Sequence, residues 1–206
     1  MGIEKFFDRR EAQGKLKSYR KSGPKKTTQT LIEAIKSQGV QEKTLLDIGG
    51  GVGAIQHELL KVGIASAVGV EASTAYINVV EDEAQRQGHS DRISSRHGNF
   101  VEIAEDVQEA TIVTLDRVIC CYHDLESLVD LSSRRATELY GIVYPRETPL
   151  VRFAFGFINV LMRLKRNPFR LFVHPTATID RLLRGNGFQQ RYYSKTPIWQ
   201  VAVYGR

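Results

Sequence analysis

The chain has 206 residues, 42% of them apolar and 25% charged, with a formal net charge of +6. That is enough chain to bury a proper core, and the composition is that of an ordinary globular protein. A disulfide scaffold is excluded, since Cys120 and Cys121 are the only cysteines and are neighbours.

No secretory apolar region follows Met1, so the expectation is a cytoplasmic, reducing location. The positive charge gathers in two places. One is N-terminal, from Lys5 through Lys26, and the other holds Arg146, Arg152, Arg163, Lys165, Arg166 and Arg170. Such patches favour anionic partners: nucleic acid, acidic lipid or an acidic small molecule. They also suit a solvated helix face.

Residues 3–20 read as a helix anchored by Ile3, Phe6, Phe7 and Leu16, broken by "KSGPKK". A second helix follows over "TTQTLIEAIKSQGV", with Thr27 or Thr28 as its cap and Gly39 as its end. Alternation then begins. "KTLLDIG" is an apolar strand and "AIQHELLKVG" a helix stopped by Gly63. "SAVGVEAS" is a strand, and "TAYINVVEDEAQRQG" a helix ending at Gly88. "RISSRHGNF" and "EATIVTLD" are strands. "LESLVDLSSRRATEL" reads as a helix running into the strand "YGIVYPR", and "IDRLLRGNGF" as the last helix. Two strands joined by "KTP" close the chain. This order predicts a mostly parallel sheet with helices on both faces and one antiparallel hairpin at its edge. Residues 1–40 read as a helical cap on the same domain, residues 41–145 as its ligand-binding half and residues 146–206 as the opposite half.

The glycines of "DIGGGVGA" sit between a strand and a helix, where open α/β sheets bind ligands. Gly49, Gly50, Gly51 and Gly53 let a ligand lie against the backbone. The run also fits the dinucleotide fingerprint, so the glycines alone do not choose a ligand. Asp47 is expected to choose: a carboxylate facing the loop repels a pyrophosphate and attracts an ammonium or sulfonium. Glu71, 24 residues further on with Ala72 beside it, stands where a carboxylate accepts from ribose hydroxyls. In "HGNF", the Asn99 amide oxygen is an acceptor for an adenine amino group, and Phe100 flanks the ring.

The pattern D-x-G-x-G-x-G, then Glu71, then "GNF" resembles class I S-adenosylmethionine (SAM)-dependent methyltransferases over roughly residues 40–145. Asn99 stands where that family usually carries Asp. The resemblance implies a Rossmann-like seven-stranded sheet of order 3-2-1-4-5-7-6, SAM as cofactor and S-adenosylhomocysteine (SAH) as product. It also implies Asp116 beside the methionine part of SAM; residues 1–28 are separately expected to close over SAM, with Phe7 or Tyr19 touching it. Parts of the layout are reminiscent of magnesium-protoporphyrin and ubiquinone-pathway methyltransferases, though Cys121 replaces the histidine that the porphyrin enzymes carry after strand four.

Methyl transfer needs alignment and dryness, and a base only where the acceptor arrives protonated. His123 and His174 are the candidate bases, while the cysteines read as core or pocket wall. Residues 149–172 form the expected lid, inserted before the last helix, over a small, largely apolar acceptor. A buried helix is the plainer reading of its apolar stretch. The flanking cations suit an acceptor carboxylate or an anionic membrane surface. The chain has no N-P-P-Y or D-P-P-Y motif to hold a flipped base, which argues against nucleic acid. No metal site is expected.

Overall fold

The computed structural model describes residues 8–206. Ile3, Phe6 and Phe7, expected in the first helix and in one case at the cofactor, lie outside the described residues.

Helix α1 spans Arg9–Ser22, and Asp8 caps it by accepting from the Glu11 amide. Gly23 ends it at a φ of 71°. Helix α2 spans Lys26–Lys36 with Lys25 as its N-cap. Thr27 and Thr28, expected to cap, instead lie inside the helix and bind across to the sheet. Thr28 donates to Asp116 at 2.5 Å, and Thr27 accepts from Arg117. The helix stops before Gly39, at Ser37. The expected strands and helices follow in order: β1 Thr44–Ile48, α3 Ala54–Lys61, β2 Ser66–Glu71, α4 Thr74–Gln87, β3 Ile93–His97, a short α5 Phe100–Ile103 and β4 Ala110–Asp116.

The expected helix from Leu125 to Leu139 is shorter than its sequence suggests. Helix α6 is Leu125–Arg134, and β5 already begins within Ala136–Pro145. Ala136 pairs with Ala110 and is fully buried, so the sheet claims residues that would otherwise extend the helix. Helix α7 spans Pro149–Leu164, with Thr148 capping through the Val151 amide. The expected lid is therefore a helix followed by a non-helical strap. Helix α8 is Thr176–Gly185, and the hairpin is β6 Gln189–Lys195 with β7 Trp199–Gly205.

The sheet has seven strands among the described residues, in the order β3-β2-β1-β4-β5-β7-β6. Strands β1 to β5 pair in parallel, while β7 runs antiparallel to β5 and β6. Alternate strand residues feed opposite faces. Leu46, Val113 and Ile142 pack with Leu128, Val129, Ile179 and Leu183 on one side. Leu45, Ile112 and Val143 pack with Leu31, Ile35 and Leu59 on the other. Burial on both faces explains why these strands read as unbroken apolar runs. It also leaves their carboxyl ends as the edge where a ligand has room.

Candidate functional site

A cavity of about 530 Å³ opens along that edge, between the strand ends and the cap formed by α1 and α2. Because β3, β2, β1 and β4 lie side by side, their C-terminal residues follow one another along the cavity. Asn99 and Phe100 come after β3, Glu71 and Ala72 at the end of β2, the glycine loop after β1, and Asp116 at the end of β4.

The Glu71 carboxylate accepts from the amides of Gly51 (3.2 Å), Ala72 (2.9 Å) and Ser73 (3.2 Å). Burial raises its pKa, and the three amides pull the other way. It thus ties the glycine loop to β2 and still lines the cavity. Gly51 and Gly53 hold φ values of 59° and 71°, which side chains tolerate poorly. The Asn99 amide nitrogen donates to Glu102 (2.9 Å) and to the Tyr122 hydroxyl (3.1 Å), leaving the amide oxygen as its acceptor. Phe100 is buried and forms part of the wall. Tyr19 reaches the cavity from α1 and donates to Glu58 at 2.8 Å.

Asp47 is not where the sequence reading put it. It is fully buried beneath the loop and does not line the cavity. Its carboxylate accepts from Thr114 at 2.7 Å and from Gln56 at 3.1 Å. Burial pushes its pKa up to about 6, against those two bonds, and nearby Asp116 pushes the same way. A β-carbon on Gly50 would stand 2.1 Å from its Oδ2. Asp47 is therefore the floor on which the glycine turn rests, while Asp116 lines the cavity.

Asp116 lines the cavity. Its Oδ2 accepts from Thr28, while its buried Oδ1 has no hydrogen-bond partner and its neighbouring cation, Arg117 Nε, is 3.8 Å away. Burial raises its pKa, with Arg117 opposing. A buried carboxylate oxygen that lacks a donor fits an incoming ammonium or hydroxyl.

Sequence reasoning missed Lys25, Arg117 and Trp199, all of which line the cavity. Arg117 adopts a left-handed backbone at φ 62° and lies 5.2 Å over the Trp199 ring. Its place directly after Asp116 was the only available signal. Burial lowers the pKa of Lys25, with Arg117 and Lys15 adding to the effect.

The two candidate histidines are not brought to the cavity. His123 is exposed, and His174 bonds the Tyr122 carbonyl at 2.9 Å through Nε2. Cys120 and Cys121, with their sulfurs 3.6 Å apart, do form wall, as does Tyr122. Met162 from α7, then Phe169 and Leu171 from the strap, complete an apolar end. The stretch from Leu150 to Leu164 is not a buried helix: only Val151 and Phe155 of α7 are buried. No cluster of metal-binding side chains occurs among the described residues.

Residues 46–137, spanning the glycine loop, Glu71, Asn99 and Asp116, match the family model described as a methyltransferase domain. Over those residues the chain is similar to a methyltransferase domain. The domain's sequence relatives include ribosomal protein L11 methyltransferases. That of Enterobacter sp. is 33% identical over 110 residues, covering 53% of this chain and 36% of the relative. That of Yersinia pseudotuberculosis is 35% identical over 94 residues, covering 45% and 32%. The chain thus spans about a third of the length of those two curated relatives.

Among solved structures, the magnesium protoporphyrin IX methyltransferase of Synechocystis with bound SAH superposes with a TM-score of 0.70 at 16% identity, over 87% of this chain and 81% of that one. The geranyl diphosphate C-methyltransferase of Streptomyces coelicolor gives 0.68 at 14%, over 87% and 79%. At such identities these likenesses speak for the methyltransferase fold alone. Among the described residues, no helix is long and apolar enough to cross a membrane.

Proposed function

We propose that the protein transfers the methyl group of SAM to a small, largely apolar acceptor. The observation that carries the reading is the pair of cavity carboxylates flanking the glycine loop: Glu71 at the end of β2, and Asp116 with its unpartnered oxygen at the end of β4. Glu71 suits the ribose hydroxyls and Asp116 the methionine ammonium, so the two fit a nucleoside bearing an amino acid. Adenine then falls beside Asn99 and Phe100, one strand further out. The glycine loop lies under the sugar and the sulfonium arm. Asp47, buried below, holds the loop rather than touching the cofactor.

Bound SAM supplies a carbon already activated by its sulfonium. The acceptor's nucleophile attacks that carbon as the carbon–sulfur bond breaks, releasing SAH. The chain's part is to align the two partners and exclude water, which by itself accounts for large accelerations. With neither candidate histidine at the cavity, transfer rests on positioning. The apolar end made by Met162, Phe169, Leu171 and Trp199 supports a largely apolar acceptor. The Streptomyces neighbour is a methyltransferase of geranyl diphosphate, a small molecule with a hydrocarbon tail.

The test is thermal stabilisation by SAM and SAH against NADH, followed by transfer of a radiolabelled methyl group to a panel of apolar acceptors. Stabilisation by SAH but not by NADH, with label recovered in an apolar product, supports the reading. Equal stabilisation by NADH refutes the cofactor assignment. Label recovered only in added RNA or protein refutes the acceptor class.

A further inference from the structure

Helix α7 packs on the fold by one face only. Val151 and Phe155 are buried beside Cys120 and Trp199. Asn159 clamps the strap behind the helix, donating to the Leu171 carbonyl at 2.8 Å and accepting from the Leu171 amide at 2.8 Å. The helix is therefore fixed in orientation, and its outer face is set. That outer face is apolar. Leu150, Phe153, Phe157, Val160, Leu161 and Leu164 are each 42–75% exposed. At about 100° per residue they fall within an arc of roughly 100°. Exposed large apolar side chains gathered this closely mark a contact surface.

The charge beside this face is mainly positive, Glu147 being paired with Arg152 at 2.5 Å. Arg152 and Arg163 share one azimuth at its border, and Lys165, Arg166 and Arg170 follow in the strap. Between Pro149 and Val173 there are five cations and no carboxylate. The cation-rimmed apolar face is complementary to a surface whose interior is hydrocarbon and whose rim is anionic. A second copy of this chain fits it worse, because it brings the same +6 charge. The helix is too short to span a bilayer, so it would lie in the plane of the interface.

We propose that α7 docks the protein on anionic membranes, with Phe153, Phe157 and Leu164 entering the acyl boundary and Arg163, Lys165 and Arg166 meeting the headgroups. Met162, on the same helix, lines the apolar end of the cavity. A lipid-dissolved acceptor then reaches the cavity from the docked side, a corollary that rests on the functional reading above.

The experiment is flotation of the full chain with phosphatidylcholine vesicles, with and without phosphatidylglycerol, and with SAH stabilisation measured on the same samples. Binding is expected to the anionic vesicles, at least tenfold weaker to pure phosphatidylcholine and weakened by about 0.5 M salt. Phe153→Ser with Phe157→Ser is expected to lose at least tenfold in vesicle affinity while SAH stabilisation stays unchanged. Each of Arg163→Gln, Lys165→Gln and Arg166→Gln is expected to cost about fivefold. Failure of the unaltered chain to float with anionic vesicles overturns the proposal. So does a double serine variant that floats as well as the parent, or a solution dimer that this variant abolishes while vesicle binding is absent. An unaltered chain that binds SAH but does not float with anionic vesicles sinks docking alone. Loss of SAH binding with flotation intact sinks the cofactor reading alone.

Discussion

Gly50→Ala isolates what Asp47 does. The new β-carbon would meet Asp47 Oδ2 at 2.1 Å, Cγ at 2.8 Å and Gln56 Nε2 at 3.0 Å. The carboxylate must therefore move by on the order of 1 Å, which breaks at least one of its bonds from Thr114 and Gln56. Overpacking costs about 1–3 kcal/mol, and a lost hydrogen bond to a charged group roughly 1.5–3 kcal/mol. Allowing for relaxation, Gly50→Ala is expected to cost about 2–4 kcal/mol, a fall in Tm of roughly 5–15 °C for a chain of this size. Asp47→Ala removes the obstacle, so the double variant should be little worse than Asp47→Ala alone. Chemical denaturation of all four proteins gives the coupling energy, expected near 2 kcal/mol as an order of magnitude. SAH titration should show the same non-additivity in affinity. Additive losses, within about 0.5 kcal/mol, would refute the floor role. Gly51→Ala is the control: its β-carbon meets nothing closer than 3.7 Å, so its cost is backbone strain and should not depend on Asp47.

Further outcomes concern charge and chemistry. Asp47 titrates near 6 when folded, against an ordinary value of 3.8, so the folded state binds the extra proton between those pH values. Its contribution to stability is thus most favourable below about pH 4 and is lost as pH rises to about 6, by roughly 3 kcal/mol. Asp47→Asn should therefore gain on the parent across that window in urea titrations, and a pH-independent difference would contradict the assignment. Glu71→Gln and Asp116→Asn should each weaken SAH binding about 10- to 100-fold by calorimetry, the equivalent of one charge-assisted bond; unchanged affinity would remove that residue from the site. His123→Ala should leave turnover within about twofold, and a loss of 10²-fold or more would restore it as a base.

Much of the fold was legible because the punctuation was local. Gly88 marks the end of α4, and apolar runs mark the parallel strands. The beginning of β5 was not legible. "ATEL" suits a helix, and only the pairing of Ala136 with Ala110, distant in sequence, assigns it to the sheet. At the site, the residue types pointed to a nucleoside cavity, but burial decided their roles. Asp47 and Asp116 both stand at strand ends. Gln56 of α3 closes over the first, while the second opens on the cavity, and no local pattern distinguishes them. Arg117 was hidden because a left-handed arginine leaves no signature in composition. The helical period of α7 was readable, yet apolar residues all round it concealed which side would be left bare.

The adjoining thiols in the cavity wall give the protein a reporter of its own. Cys121 hydrogen-bonds with Cys120, an interaction that lowers the pKa of Cys121 and makes it the readier nucleophile of the two. An alkylating reagent small enough to enter would be slowed by anything filling that space. The rate of labelling, followed by mass spectrometry, therefore becomes a footprint of occupancy. It would rank unknown acceptors by how well each shields the sulfur, before any product has been identified.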